Sequence, residues 1–261
     1  MGRREDGYHR LQTLFVLLDY CDTLYFEVRE DEGIRRINTI DGIPEQEDLV
    51  IRAAKALQHH TGIKRGVEIR LEKHIPQGGG LGGGSSDAAT TLLTLNKLWG
   101  CHLSLIQLRQ IGATLGADVP VFISGHNAWA EGVGEELTPI EIPVWWYVVL
   151  TPPVNVPTAA IYGASDLTRD SNPLKITDFS DDLGCALRDA RNDLQPVVLK
   201  RFPVVASYLE ALQNAAAQSI FGARMTGSGA CVFAAFTSEQ AARKALAELS
   251  PEYKGFVAQG M

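Results

Sequence analysis

Cysteine is scarce and scattered in this chain. Cys21, Cys101, Cys185 and Cys231 form no C-x-x-C pair, which sets aside a zinc ribbon or dithiol motif and reads as reduced core thiols of a cytoplasmic protein. No apolar run approaches the ~18 residues of a membrane span, and the opening MGRREDGYH is too charged for a secretory signal. Gly2 has no Ser or Thr four positions on, so the myristoylation pattern is missing too. Positive charge is also short. With 24 Lys and Arg against 31 Asp and Glu, net −7, neither nucleic acid nor an anionic membrane is the expected partner. What remains, 261 residues at 45% hydrophobic and 21% charged, describes a soluble globular protein of one large or two ordinary domains.

Period-2 patterning marks strands at 23–29 (TLYFEVR) and 67–72 (VEIRLE), where Val67, Ile69 and Leu71 face opposite to Glu68, Arg70 and Glu72. Between them EDLVIRAAKALQHHTG reads as a helix with Leu49, Ala53 and Leu57 on one face and Gly62 near its end. A second helix carries Ala88, Leu92, Leu95 and Trp99 and closes at Gly100. A third, SLIQLRQIGATLG, opens on a Ser104–Gln107 capping box and stops at Gly116. The apolar run VWWYVVLTPP (144–153) predicts a buried strand, after which 165–182 turns polar and loop-like. ACVFAAF, a helix capped by Thr237 and Gln240, and GFVAQG then give a strand–helix–strand order. A domain boundary is placed near 143, leaving an α+β arrangement in each part.

The segment PQGGGLGGGSSDAATTLL (76–93) holds six glycines in seven positions. An ordered Gly costs roughly 0.5–1 kcal/mol relative to Ala, so this backbone has a task. A strand enters it and a helix leaves it, starting near Ser85 or Ser86. That junction aims unpaired N–H groups and the positive end of a helix dipole at one spot, an anion site. Ser85 and Ser86 are placed to cap the helix or donate to phosphate oxygens. A flexible linker fits poorly between a strand and an apolar-faced helix. No Lys follows the glycines, so this is not a Walker A loop. Gly78, Gly80 and Gly83 spell G-x-G-x-x-G, but no Asp or Glu lies between Asp87 and Asp118, so a dinucleotide fold is set aside.

PQGGGLGGGSSDAA resembles the phosphate-binding signature of the galactokinase, homoserine kinase, mevalonate kinase and phosphomevalonate kinase (GHMP) superfamily. GADVPVF (116–122) resembles its catalytic-Asp loop and RMTGSGACVFAAF (224–236) its C-terminal glycine motif; DGYHRLQTLF (6–15) and VPTAAIY (156–162) agree in order. The resemblance implies a two-domain fold, 1–143 ribosomal-protein-S5-like and 144–261 ferredoxin-like, with the active site in the cleft between them. It implies transfer of phosphate from ATP, with Mg²⁺, to a hydroxyl of a small cytidine-diphosphate-linked sugar alcohol by a monomer or homodimer. Pro76, Gln77, Gly78, Gly79, Gly80, Leu81, Gly82, Gly83, Gly84, Ser85 and Ser86 would wrap the ATP phosphates, with Lys73 beside the adenine. Asp118, stiffened by Pro120, would be the general base. Tyr8, His9, Thr158 and Tyr162 would form the cytidine pocket. Gly227, Ser228 and Gly229 either contact substrate phosphates and support the cleft or form a tight turn before the strand.

Three departures accompany the resemblance. A first strand of type P-A-K-x-N-L, with a Lys near the reacting groups and a substrate-binding Asn, is expected before DGYH. Here only MGRRE precedes Asp6 and the first lysine is Lys55, as in a truncated chain or a mis-assigned start. Asp48 stands where an Asn often precedes Leu-Ile, which removes one adenine contact, and the chain stops at Met261 without the usual tail. Two other readings stand beside the first: a sister kinase for homoserine or mevalonate, and a nucleotide-binding protein without turnover.

Overall fold

The computed structural model describes residues 11–132, 134–174 and 183–261. The predicted strand pair forms as β2 (Thr23–Arg29) and β4 (Gly66–Glu72), antiparallel from Thr23 opposite Glu72 to Arg29 opposite Gly66. They follow the short β1 (Thr13–Phe15), and β3 (Ile34–Arg36) adds to β4 in parallel. The pleat sorts the side chains as the alternation requires. Val67, Ile69 and Leu71 are buried, while Glu68 on the opposite face pairs with Arg29 and Arg35. Over the apolar face lie α1 (Leu49–Thr61), α2 (Gly83–Leu98) and α3 (Leu105–Leu115).

Local signals account for these helices. Asp48 caps α1 by accepting from Val50 N, and Gly62 ends it in the left-handed conformation at φ 69°. Ser104 and Gln107 form the reciprocal capping box of α3. Leu57, Leu92, Leu95 and Leu108 are fully buried between helices and sheet, and burial of each stabilises by roughly 1.5–3 kcal/mol.

The chain continues through α4 (Val119–Ser124), β5 (Ala128–Glu131) and β6 (Glu136–Pro139); β5 pairs with both β6 and the distant β1. The C-terminal unit runs β7 (Trp146–Leu150), α5 (Thr158–Tyr162), α6 (Leu183–Asp189), α7 (Gln195–Arg201), α8 (Pro203–Ala215), β8 (Arg224–Met225), β9 (Val232–Phe236), α9 (Glu239–Ala247) and β10 (Gly255–Gln259). Its antiparallel sheet has the order β10-β7-β9-β8, a β-α-β-β-α-β layout. The unbroken apolar run of β7 follows from burial on both faces. Val148 and Leu150 enter a core with α7, α8 and α9, whereas Tyr147 and Val149 pack on the other side with Trp129, Trp145 and Phe221. That second core ties β5 to the C-terminal sheet.

Two boundaries differ from the sequence reading. Helix α2 begins at Gly83 with Gly82 as N-cap, not at Ser85 or Ser86. Gly82 holds φ 69°, a cap conformation that Ser adopts only with strain. Helix α9 is capped by Ser238, which accepts from Ala241 N, and not by Thr237 with Gln240. Strand β9 ends at Phe236, and Ser238 is the extended residue from which the helix starts.

Candidate active site

Two glycine segments 146 positions apart meet backbone to backbone. Thr226 Oγ1 donates to Gly80 O at 3.0 Å, and Cys231 N donates to Gly79 O at 3.0 Å. A Cβ on Gly80 would sit 2.4 Å from Thr226 O, with Gly229 O at 3.0 Å, and Gly80 itself has φ 72°. No residue but glycine fits there without displacing one segment. Asn155 leans on Gly78 in the same way, its Oδ1 2.3 Å from the position a Cβ would take. The 227–229 turn is held from behind by Asn192, whose Nδ2 donates to Gly227 O at 2.7 Å and Met225 O at 3.1 Å. Thus the loop from Pro76 to Gly82 is walled by the C-terminal unit, and the N–H groups of Gly83, Gly84 and Ser85 at the start of α2 have no helical acceptor. With no side-chain cap on α2, these donors and the helix dipole are available to an anion. Ser85 and Ser86 lie in the first turn of α2 and offer hydroxyls from there.

Asp118 is the N-cap residue of α4, with Pro120 in the first turn of that helix. Pro at this position costs no hydrogen bond and fixes the backbone of the turn that carries Asp118. The side chain caps nothing. Burial raises its pKa above the ordinary carboxylate value, the direction that suits a proton acceptor working near neutrality. Helix α4 lies against the glycine loop: Phe122 Cζ is 2.9 Å from where a Gly82 Cβ would be, and Ser85 Oγ 3.8 Å from that of Gly116. Tyr162 approaches from α5. Its phenol pKa is raised by burial and by the charge of Asp118. Thr158, at the start of α5, shares a 2.8 Å hydrogen bond with Ser228. The structure therefore brings the glycine loop, Asp118, Thr158, Tyr162, Gly227 and Ser228 into one neighbourhood. Tyr8 and His9 lie outside the described residues.

Lys73 occupies a place the sequence did not signal. Its ammonium is buried between Asp22 and Asp87, with Asp87 Oδ2 at 2.8 Å, and Nζ is 3.4 Å from the Cβ position of Gly83. Asp22 also accepts from His74 N at 2.6 Å and Ile75 N at 2.8 Å. One ammonium so joins the end of β4, the entry to the glycine loop and the first turns of α2. Burial opposes ionisation of all three groups, yet the ion pairs raise the pKa of Lys73, and with the two N–H donors they lower that of Asp22. Asp87, desolvated and without backbone donors, is pushed up to about 7. Asp48 is likewise occupied, by Arg36 and by Val50 N, so its side chain is engaged inside the protein, away from any ligand.

Thr226, Asn155, Asn192, Asp22 and Asp87 escaped the sequence reading. Only Asp87 had a signal, as the lone acidic residue in the first turns of α2.

Comparison with known proteins identifies the family. The model of the GHMP kinases N terminal domain matches residues 48–126, and that of the GHMP kinases C terminal domain matches residues 179–255. A 4-diphosphocytidyl-2-C-methyl-D-erythritol kinase from Thiobacillus denitrificans is 53% identical over all of this chain and 90% of its own length. The chain belongs to this kinase family. The Cupriavidus metallidurans kinase of the same name is 52% identical over 97% of this chain and 85% of its own length. A crystal structure of 4-(cytidine 5'-diphospho)-2C-methyl-D-erythritol kinase superposes with TM-score 0.82 at 34% identity, covering 99% of this chain and 92% of that one. Homoserine kinase from Cytophaga hutchinsonii shares the fold, with TM-score 0.70 at 18% identity over 95% of this chain and 88% of that one. The kinase family has the two-domain α+β fold, and the ferredoxin-like layout expected of the second part matches the β10-β7-β9-β8 order.

Proposed function

We infer that this chain transfers the γ-phosphoryl group of ATP to the 2-hydroxyl of 4-diphosphocytidyl-2-C-methyl-D-erythritol, a step of non-mevalonate isoprenoid precursor biosynthesis. The observation that carries the reading is 53% identity to a kinase of that name along the whole chain. The cleft supplies chemistry in keeping with it. Phosphoryl transfer asks for positioning and charge neutralisation more than for covalent steps. In this reading the loop of Pro76 to Gly82 and the free N–H groups of Gly83, Gly84 and Ser85 hold the ATP phosphates. Asp118 takes the proton of the acceptor hydroxyl as it attacks phosphorus. The Thr158–Ser228 pair and Tyr162 line the acceptor side, with Tyr162 stacking on the cytosine.

Magnesium fits this donor set as a companion of the nucleotide. No group of three or more His, Cys, Asp or Glu among the described residues could hold a metal alone. Mg²⁺ in nucleotide sites is held by substrate phosphates with only one or two carboxylates. Asp118, whose carboxylate makes no hydrogen bond among the described residues, and the hydroxyls of Ser85 and Ser86 are the groups that would complete its shell. The ion would neutralise charge on the transferring phosphoryl group. Lys73 stays in the reading as a neighbour of the nucleotide base, its ammonium already bound to two carboxylates.

The test is an acceptor panel. With ATP and Mg²⁺, turnover is expected with the cytidine compound and not with homoserine or mevalonate. Preference for either amino acid or mevalonate would reject the acceptor assignment.

A further inference from the structure

A second cleft lies beside Asn192, the residue that holds the 227–229 turn through Gly227 O. It encloses about 320 Å³ between the end of α6, the 190–195 segment and β8, at the lower end of the range for small-molecule sites. Arg188, Arg191 and Arg224 line it, with Asp193 as the carboxylate in its wall. In a chain of net charge −7, three guanidinium groups facing one carboxylate form a local excess of positive charge.

Much of that charge is uncommitted. Asp193 is taken by Arg191, whose Nε is 3.0 Å from Oδ1 and whose Nη2 donates to Ser171 Oγ at 2.9 Å. Among the described residues Arg188 makes a single side-chain donation, Nε to Ile220 O at 3.1 Å. Arg224 gives Nη1 to Ala190 O at 3.1 Å and lies over the Phe221 ring at 4.5 Å. It has no carboxylate partner among the described residues, and burial lowers its pKa. The stacked ring holds the planar guanidinium in one orientation. Gln195 adds a carboxamide whose oxygen accepts from Met225 N and whose NH₂ has no protein acceptor among the described residues. An uncompensated, half-buried guanidinium is costly unless an anion completes it.

We propose that this cleft binds a small multivalent anion of the diphosphate class through Arg188 and Arg224. Two free forks match phosphate oxygens pairwise, and the excess charge suits a ligand carrying more than one negative charge. Asn192 forms part of the cleft wall and holds Gly227 O. An occupant therefore touches the strut behind the turn that abuts Gly80, and binding is expected to alter the KM for ATP.

Calorimetric titration of inorganic pyrophosphate into the full chain tests this, with the glycine loop saturated by a non-hydrolysable ATP analogue. One site is expected. Arg188→Gln and Arg224→Gln should each weaken it at least about tenfold, as a hydrogen bond to a charged group is worth that factor or more. Lys244→Gln, a charge removed elsewhere on the surface, should leave it unchanged. Methyl diphosphate titrated in parallel separates a free diphosphate from the diphosphate end of a larger molecule; loss of either in the arginine variants supports the site. Absence of binding to analogue-saturated protein, or equal binding by the arginine variants, overturns it. Equal weakening by Lys244→Gln overturns it as well. Should Arg224→Gln not fold, the exposed Arg188→Gln decides. The outcome is independent of the phosphoryl-transfer reading, which the ATP analogue tests in the same cell.

Discussion

Gly80→Ala probes the contact on which the cleft depends. Alanine at φ 72° carries a conformational cost of about 1–2 kcal/mol. Its methyl would also lie 2.4 Å from Thr226 O, 3.0 Å from Gly229 O and 3.1 Å from Gly229 N. All three are backbone atoms that no rotamer change can move, and overpacking of this kind costs about 1–3 kcal/mol. Together the variant is expected to lose roughly 2–5 kcal/mol of a total stability of about 5–15 kcal/mol, or to shift the loop and forfeit the Thr226 bond. Gly84→Ala is the matched control: its methyl meets only Leu49 Cδ1 at 3.4 Å and its φ is ordinary, so stability should change by less than about 1 kcal/mol. Denaturant unfolding of both variants, followed by titration with the ATP analogue, measures the two consequences. Gly80→Ala should unfold at lower denaturant and bind the analogue at least about tenfold more weakly, a loss of 1.4 kcal/mol or more. Parental stability together with parental affinity would show that the loop is not pressed against the 226–229 turn.

Other expectations follow from single groups. Asp118→Asn keeps shape but cannot accept a proton, so kcat should fall by about 10²–10⁴ while ATP-analogue affinity changes little; near-full turnover would move the base elsewhere. Because burial raises the Asp118 pKa, kcat/KM should fall on acidification with an inflection above the ordinary carboxylate value, and Glu in its place should retain such a limb. The raised Asp87 pKa, about 7 against 3.8, means folding favours its protonated form, so stability declines as pH rises from about 4 towards 7. Asp87→Asn should flatten that slope in pH-dependent melting, and an unchanged slope would refute the assignment. Tyr147 OH is buried with no hydrogen-bond partner among the described residues, so Tyr147→Phe should be neutral or stabilising by about 1 kcal/mol.

The parts legible in the sequence were those decided within one or two turns of chain. The alternation of β2 and β4, the apolar stripe of α1 and the Ser104–Gln107 box each depend on neighbours a few residues away. The start of α2 was misplaced because Ser is the commoner cap, while Gly82 caps at a positive φ and leaves no room for a side chain beside Phe122 of another helix. The Lys73 cluster was hidden because its partners stand 51 and 14 positions away, and the Gly80–Thr226 contact spans 146. Short strands such as β1, β5 and β6 have too few residues to show a period. Of the cleft, the glycine loop and Asp118 were readable as motifs, but their approach to each other is a property of the packed chain alone.

Analysis of the reaction product tests the central claim most directly. Incubation with ATP, Mg²⁺ and 4-diphosphocytidyl-2-C-methyl-D-erythritol should yield one ADP per acceptor consumed. Phosphorus NMR should then show a new monoester on the 2-hydroxyl with the cytidine diphosphate intact. ADP formation without a phosphorylated acceptor, or a monoester on any other oxygen, would contradict the account.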